Sequence, residues 1–276
     1  MLFFDFLEKS KKTPLRNVDT IKVCKPTDFI GIQSLKASDE AGSDPDSFVH
    51  VIEAVMKQYN ETVIVKILRE PSTPLERELK AYKKLRNFQN AVKLICDFGC
   101  MDDKRRWQTK IRSPITFCHQ SYHKLHFIVL EYIHNGSITD YITNASEPEI
   151  RGLFLQVILT IATLMYNHRM IHGDLHSGNI LIGRTNQTHI HYTFDGRTYR
   201  VQSFGIMPLL CDFGLSSSYR KIRTGFMMEN IEIVLFALSK YTRNKPLLCK
   251  KYDSFLERSY TDVHQLIDAF RRIKSS

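Results

Sequence analysis

The stretch that decides the fold is residues 171–182, IHGDLHSGNILI, in which an acidic residue and an amide precede an apolar run. A second stretch, residues 209–215 (LLCDFGL), places Asp212 directly after apolar residues and before a phenylalanine and a glycine. The apolar runs predict buried strands. We therefore take the polar residues beside them, Asp174 and Asn179 in the first stretch and Asp212 in the second, as candidate functional residues.

A strand and a helix are predicted upstream of these stretches. Residues 62–68 (TVIVKIL) are rich in β-branched side chains and predict a buried strand, although Lys66 lies inside it and a buried lysine needs a partner. Next comes Thr73, a candidate helix N-cap, followed by a proline and by Glu76, which would close a capping box. This pattern predicts a helix over about residues 74–85.

Glu78 is the carboxylate of this helix that we expect to face inward. It lies three or four residues from the apolar side chains of Leu75 and Tyr82, so it shares their face. Glu76 is occupied by the cap. Glu78 is therefore the carboxylate available to Lys66, and the alternative is an exposed glutamate on a charged helix.

A turn divides the chain into two predicted lobes. Residues 125–133 predict a strand, and an Asn-Gly-Ser turn follows at residues 135–137. We place an N-lobe, consisting of a β-sheet and one helix, at residues 1–133. A C-lobe takes residues 134–276.

Helices dominate the predicted C-lobe. Apolar residues recur at the 3.6-residue period over residues 150–165, which predicts a central core helix. A second helix is predicted over residues 229–241, and Thr261 is expected to cap a last one. The apolar face of that last helix consists of Val263, Leu266, Ile267, Phe270 and Ile273.

Taken together, these features resemble the protein-kinase-like superfamily. A His-x-Asp-x-x-x-x-Asn string followed by Asp-Phe-Gly looks like the catalytic and metal-binding loops of that superfamily, and Lys66 with Glu78 matches its strand lysine and helix glutamate. The features occur in the family's order over roughly residues 20–240. The resemblance implies an α+β, two-lobed fold with a small β-rich N-lobe and a mainly helical, reduced C-lobe.

The resemblance also implies a phosphotransferase that uses ATP and Mg2+. Phosphoryl transfer requires that the triphosphate charge be neutralised and that donor and acceptor be held in line. By resemblance, Asp212 binds the Mg2+ that bridges the phosphates, and Asn179 helps to hold a second ion. Asp174 would orient the acceptor hydroxyl and receive its proton. Lys66 would grip the α and β phosphates while Glu78 holds Lys66 in place.

A further set of residues is implied to bind the adenine ring. The strand that ends at Leu130 would line the pocket, with Leu130 as gatekeeper. The backbone of Glu131 and of Ile133 would bond the base, and Ile64 and Leu181 would sandwich the ring. For these apolar side chains, ordinary core packing explains the pattern equally well.

The sequence departs from the family pattern around the phosphates and beside Asp174. No Gly-x-Gly-x-x-Gly string precedes Lys66, so we assign no phosphate-cradling residue to the first hairpin. Gly173 stands where protein kinases usually carry arginine, the partner of a phosphorylated activation loop, which suggests activity independent of such a switch. His176 replaces a lysine that is usual in serine/threonine kinases. The string HGDLHxGN is shared with aminoglycoside and choline kinases, which phosphorylate small molecules.

The segment between Asn179 and Asp212 is longer than a metal-loop hairpin requires. Asp212 lies 33 positions after Asn179, and residues 189–201 read as a hairpin that turns at an Asp-Gly pair. We place this insertion at about residues 184–207. Such an insertion resembles atypical kinases of large DNA viruses and haspin-like kinases.

Three functions remain open at this point. An atypical serine/threonine protein kinase, of viral origin, would transfer phosphate from ATP to a protein. A small-molecule kinase would transfer it to a metabolite. No Ala-Pro-Glu string occurs, and the activation segment is reduced to about residues 215–228, so little of a peptide-docking platform is present. This favours the small-molecule kinase. A pseudokinase would act as a binding module, but the full set of charged residues argues against it.

Charge and hydropathy limit the other classes of function. The 276 residues include 39 Lys and Arg against 29 Asp and Glu, a net charge of +10, which attracts polyanions. The basic residues are scattered and no DNA- or RNA-binding signature accompanies them, so we do not expect a nucleic-acid partner. The apolar opening, residues 1–7, lacks the features of a signal peptide, and we expect no membrane span.

The cysteines indicate a reducing compartment. Six are spread over the chain without a compact framework, so we expect no disulfides. An intracellular protein follows, in the cytoplasm or nucleus, including those of an infected host cell, or in a virion. A group of cysteines and histidines between residues 96 and 126 matches no zinc-ligand spacing, so we expect no metal there.

Overall fold

The residues that the computed structural model describes form two compact units. The first unit takes residues 1–67 and 95–130, and the second takes residues 68–94 and 131–276. A β-sheet occupies the first unit and most helices belong to the second, which confirms the predicted α+β class. The described residues are 28–37, 49–69, 73–99, 125–220, 228–231, 234–235, 252, 255, 258, 260 and 262–272.

The first unit carries a five-stranded sheet in the order β1-β2-β3-β5-β4. Its strands are β1 (Phe29–Ala37), β2 (Val49–Met56), β3 (Glu61–Arg69), β4 (Leu94–Gly99) and β5 (Leu125–Glu131). Strands β1 and β2 pair antiparallel, and their register shifts at two places in β1. Val63, Val65 and Ile67 of β3 are fully buried, and Lys66 between them is only 8% exposed. The predicted buried strand around this lysine is confirmed.

The second unit is built around one long helix. The helices whose full bounds the structure describes are α1 (Thr73–Lys84), α2 (Ile138–Asn144), α3 (Glu147–His168) and α4 (Val263–Arg271). Helix α3 is buried along most of its length, as its apolar period predicted. Helix α1 is grouped with this unit, although the sequence placed it in the N-lobe, so the lobe boundary at residue 133 stays a prediction.

Helix α3 is also the one helix in the described ranges that is long and apolar enough to cross a membrane. Length and composition alone give this result, and 67% of its most apolar window is buried. Such burial is typical of a core helix, because its apolar side chains already pack against protein.

Short polar side chains cap the helices of the second unit. Ser137 begins α2 with a capping box, in which its backbone N–H donates to Asp140 Oδ2 at 3.1 Å. At α4 the N-cap is Asp262, whose Oδ1 accepts from Gln265 N at 2.9 Å. The prediction of Thr261 as the cap was therefore wrong by one residue, because aspartate and threonine are both good caps and the sequence does not rank two neighbours.

Among the described residues, the second unit also contains six strands. They are β6 (Met170–Ile171), β7 (Ile180–Arg184), β8 (His189–Phe194), β9 (Arg197–Gln202), β10 (Ile206–Leu210) and β11 (Ser217–Ser218). Strands β8 and β9 form the predicted inserted hairpin. Asp195 and Gly196 have φ of 48° and 72°, as a two-residue turn with the twist of a hairpin requires.

The inserted hairpin packs between two helices. On the α3 side, Phe194 lies 5.3 Å from the ring of Tyr166. On the α4 side, His264 stacks on Phe194 at 5.4 Å, its Nδ1 bonds the hydroxyl of Tyr199, and its Nε2 lies 3.1 Å from Asp195 Oδ2. The insertion is thus part of the core of this unit.

One cysteine contradicts the expectation of no disulfides. Cys96, in β4, is disulfide-bonded. Its partner lies outside the described residues. Sequence spacing missed the bond because the six cysteines show no framework, and pairing depends on which chain segments the fold brings together.

The cap of α4 can be tested directly. Replacing Asp262 by alanine removes the acceptor for Gln265 N–H, and we expect the free energy of unfolding to fall by about 1 kcal/mol. Asp268→Ala removes an exposed carboxylate from the same helix and should have a smaller effect. Chemical denaturation measures both, and equal values for the two variants would contradict the assignment.

Candidate active site

Two strand pairs bring the candidate loops together in the second unit. Strand β7 begins directly after Asn179, and β10 ends directly before Cys211. The two strands pair antiparallel with Ile180 opposite Leu210, and the backbone N–H of Cys211 donates to Asn179 O at 3.1 Å. Beyond the loops, β6 pairs with β11. The residues next to Asn179 and Asp212 are therefore held side by side.

Asn179 links the two halves of its own loop. Its side-chain Nδ2 donates to the backbone oxygen of Asp174 at 2.9 Å, and the residue is 7% exposed. Because the amino end of this amide is engaged, its Oδ1 is the end left to bind a cation. The Asp174 carboxylate is exposed, and His176 Nε2 lies 3.9 Å from it, a surface contact of little energy.

His172 braces the two loops of the site. Its Nε2 lies 2.8 Å from the backbone oxygen of Cys211, and its ring packs 4.8 Å from that of Phe213. Burial lowers the pKa of His172 below its usual value, so the imidazole is neutral at neutral pH and Nε2 donates to the carbonyl. A neutral, buried ring suits a structural role.

Tyr82 of α1 fixes the backbone of Asp212. The N–H of Asp212 donates to the Tyr82 hydroxyl at 3.2 Å, and the Tyr82 ring meets Phe213 edge-on at 5.3 Å. Asp212 has a φ of 61°, a left-handed conformation that costs free energy in a residue with a side chain. Burial, and then the charge of Glu78, raise the pKa of Tyr82 well above its usual value, so the phenol stays protonated.

Sequence reasoning missed this role of Tyr82. It placed the residue in the apolar stripe of the helix, where phenylalanine would serve as well. The hydroxyl was the signal, because a tyrosine facing the core needs a hydrogen-bond partner.

Glu78 faces inward, as predicted. Its side chain is fully buried on α1. A methyl group added at Gly214 would lie 3.8 Å from Glu78 Oε2 and 3.5 Å from Asp212 Oδ1, so both carboxylates border the same glycine. The alternative of an exposed glutamate is wrong. Lys66 belongs to the first unit, and its pairing with Glu78 stays a prediction.

The backbone of Leu215 approaches position 173 so closely that only glycine fits there. Gly173 has a φ of +85°, and a Cβ atom added there would lie 2.1 Å from the backbone oxygen of Leu215. No side chain fits this position without a backbone shift. The departure from the arginine of typical protein kinases therefore has a steric cause in this chain.

The residues expected to bind adenine are described separately in the two units. In the first, Leu130 is 6% exposed and Ile64 is half-buried. In the second, the N–H of Glu131 donates to Lys93 O at 3.0 Å, and its carboxylate accepts from the N–H of Lys93 at 2.7 Å. Leu181 and Ile133 are half-buried. Their contact with a base stays a prediction.

The acidic residues suit a metal ion whose coordination shell is completed by phosphates and waters. In the part of the chain that the structure describes, no group of three or more His, Cys, Asp or Glu side chains could hold a metal ion. A divalent cation of the Mg2+ type needs only one or two carboxylates when phosphates and waters complete its shell. Asp212 with the Oδ1 of Asn179 fits that requirement.

Comparison with known proteins decides the family. A family model for the protein kinase domain matches residues 47–232, more than half of the chain. The chain belongs to the protein kinase family. The match covers the strand of Lys66, helix α1, both loops and the inserted hairpin.

Individual relatives of this kinase match over shorter stretches. An uncharacterized protein of Caenorhabditis elegans is 40% identical over 68 residues, 24% of this chain and 23% of that one. The serine/threonine-protein kinase haspin homolog of Arabidopsis thaliana is 27% identical over 99 residues, 36% of this chain and 16% of the relative. Haspin of Mus musculus is 27% identical over 92 residues, 33% of this chain and 12% of the relative.

These matches confirm a haspin-like, atypical member of the family. The aligned stretches span less than a quarter of each relative's length. The activity, substrates and partners of the whole protein are therefore proposals.

Removing the Tyr82 hydroxyl tests its hold on Asp212. In Tyr82→Phe the Asp212 N–H loses its acceptor, and we expect about 1 kcal/mol less stability. Any kinase turnover should fall by up to about fivefold, because about 1.4 kcal/mol corresponds to a factor of ten in rate. Tyr141→Phe, which removes a half-buried hydroxyl on α2, serves as the control. Unchanged stability and turnover in Tyr82→Phe would refute the role.

Gly173 can be tested against a second glycine of similar backbone conformation. Gly205 has a φ of +78°, but a Cβ atom there meets nothing within 4 Å. We expect Gly173→Ala to lower the free energy of unfolding by at least about 2 kcal/mol more than Gly205→Ala, since only the former adds a clash. Thermal unfolding of both variants measures this, and equal losses would contradict the steric argument.

Proposed function

We propose that this kinase transfers the γ-phosphoryl group of Mg-ATP to a serine or threonine hydroxyl of a protein. The observation that carries the proposal is the linked arrangement of Asp174, Asn179 and Asp212. Asn179 bonds the backbone of Asp174 through its side chain and the residue before Asp212 through its carbonyl. The hydrogen bonds of Asn179 thus position a proton acceptor and the oxygen ligands for a cation.

Asp212 and Asn179 are the proposed ligands for Mg2+. Asp212 offers a carboxylate whose backbone is fixed by the Tyr82 hydroxyl, and Asn179 offers Oδ1. When bound, Mg2+ neutralises phosphate charge and ATP supplies the phosphoryl group. The two residues hold their oxygens in place before the nucleotide arrives, which lowers the cost of ordering them.

Asp174 is the proposed proton acceptor. Its carboxylate is exposed, so a substrate hydroxyl can reach it, while its backbone is held by Asn179. The carboxylate would accept a hydrogen bond from the hydroxyl, orient the oxygen for attack and receive the proton as the new bond forms.

Other residues are proposed to bind the nucleotide. Lys66 carries a buried, positively charged side chain, and the α and β phosphates are its proposed ligands. The Glu131 carbonyl and the Ile133 N–H would bond the edge of adenine. The apolar side chains proposed to contact its faces are Ile64, Leu130 and Leu181.

The choice of a protein acceptor rests on the relatives. The matched haspins of Arabidopsis thaliana and Mus musculus are named serine/threonine-protein kinases. A small-molecule acceptor is the second candidate, because the loop string HGDLHxGN resembles that of kinases that phosphorylate small molecules. A viral source and an intracellular location also stay predictions.

Loss of either acidic residue should abolish transfer. We expect Asp174→Asn and Asp212→Asn each to reduce transfer of labelled phosphate from Mg-ATP to proteins by about 10²- to 10⁴-fold. Asp268→Asn makes the same chemical change on the exposed face of α4 and should keep full activity.

The assay compares basic proteins and casein with small alcohols as acceptors. Label on proteins at serine or threonine supports the proposal, and label on small alcohols alone favours the second candidate. Equal labelling by wild type and both site variants would refute the assigned site.

A further inference from the structure

The inserted hairpin buries one of its faces and leaves the other in solvent. Side chains point to alternate sides along a strand, so each strand contributes to both faces. The buried, inner set consists of Ile190, Tyr192, Phe194, Tyr199 and Val201. The other set, which we call the outer face, consists of His189, His191, Thr193, Thr198, Arg200 and Gln202. The first of these is half-buried and the rest are exposed.

Three basic side chains of the outer face lie next to one another. His191 and Arg200 are direct cross-strand partners, which places their Cβ atoms about 5 Å apart. His189 lies on the same side of β8 as His191, and its Nδ1 is 3.1 Å from Arg200 Nη2. We call His189, His191 and Arg200 the basic triad.

The contacts around the basic triad determine which atoms it can offer to a ligand. A guanidinium group only donates, so His189 Nδ1 accepts from Arg200 and the hydrogen of the neutral ring lies on Nε2. The neighbouring pair, Thr193 and Thr198, shares one hydrogen bond of 2.9 Å between its hydroxyl groups. Only one of the two hydroxyl hydrogens is used in that bond. This part of the outer face therefore presents mainly hydrogen-bond donors.

The hairpin has one acidic residue, Asp195, and its carboxylate lies on the side of the inner face. Asp195 Oδ2 is 3.1 Å from His264 Nε2, and the ring of His264 stacks on Phe194 of the inner face. Arg200 forms no ion pair with any residue that the structure describes. Its positive charge is therefore available to an anion from outside the chain.

The backbone beneath the basic triad is held by neighbouring elements. Gln89 Nε2 donates to His191 O at 3.3 Å, and Asn167 Nδ2 donates to Thr193 O at 2.7 Å. These two carbonyl groups of β8 are thus engaged, so a partner binds here through the side chains of the outer face and not by adding a strand to β8. A backbone that is already ordered lowers the cost of binding.

We propose that the basic triad binds a phosphoserine or phosphothreonine in a segment of a partner protein. A phosphate monoester carries a charge of about −2 and three acceptor oxygens, which suits three adjacent groups that donate. A diester phosphate of a nucleic acid has a single charge and two free oxygens, and the outer face has no phenylalanine, tyrosine or tryptophan on which bases could stack. A phosphorylated protein therefore fits this face better than a nucleic acid.

The basic triad is separate from the candidate active site. Strand β7 has five residues, so about 17 Å of extended chain lie between Asn179 and the segment that leads into the hairpin. The proposal thus goes beyond the proposed transfer reaction and does not depend on it. A phosphorylated partner would be held on the hairpin, away from the residues proposed to act on ATP.

Binding is tested by NMR on the full chain, isotope-labelled at histidine. The probe is a glycine–serine peptide that carries one phosphoserine, and the ring resonances of His189 and His191 are followed during the titration. We expect saturable shifts with this peptide and none with the same peptide lacking the phosphate. Arg200→Gln should raise the dissociation constant about tenfold, because it removes a charge-assisted hydrogen-bond donor.

Arg197→Gln is the matched control, since it makes the same change on the same strand. Arg197 lies opposite Phe194, in register with the inner face, so this variant should bind the phosphopeptide like wild type. Equal dissociation constants for Arg200→Gln and Arg197→Gln would overturn the proposal, as would equal binding of a peptide with glutamate in place of phosphoserine. Tighter binding of duplex DNA, lost in Arg200→Gln, would assign the outer face to nucleic acid instead.

Discussion

The hydrogen bonds of Asn179 are the constraint on which the second unit's site depends. Its carbonyl extends the β7–β10 pairing by one bond to Cys211, and its side chain closes the loop onto Asp174. Both bonds belong to a residue that is 7% exposed, so water competes less for them than at the surface. A change in the register of β7 and β10 would therefore displace both acidic residues of the site.

A neutral stack of rings lies beneath these charged groups. Phe213 packs between His172 and Tyr82, and each of the outer rings bonds a backbone group next to the stack. Burial lowers the pKa of the imidazole and raises that of the phenol, so both stay uncharged near neutral pH. The negative charge near this stack is then carried by carboxylates, a field that attracts a metal cation.

The sequence predicted the elements that local patterns specify. The strand around Lys66, the inward face of Glu78, the core helix and the Asp-Gly hairpin each follow from spacing within a few residues, and the structure has all of them. The family motifs predicted the neighbouring loops of Asn179 and Asp212, because the motif order reflects a fixed strand pairing.

Long-range and fine geometry were not predictable in the same way. The Tyr82 hydroxyl acts on a residue 130 positions away, and its partner is a backbone N–H that has no sequence signal. The clash at Gly173 depends on the distant carbonyl of Leu215, so the sequence showed the glycine but not its cause. The N-cap of α4 is Asp262 and not Thr261. Both residue types are good caps, so the sequence does not show which of the two neighbours has the backbone conformation of a cap.

The position of the inserted hairpin between α3 and α4 has a consequence for the order of folding. Its bond to α3, from Asn167 to Thr193, closes a separation of 26 residues, whereas the bond from Tyr199 to His264 closes one of 65. Shorter loops close at lower entropic cost, so we expect α3 and the hairpin to associate first. Until α4 arrives, the aromatic face of Phe194 stays in contact with water, and docking of that last helix completes the core.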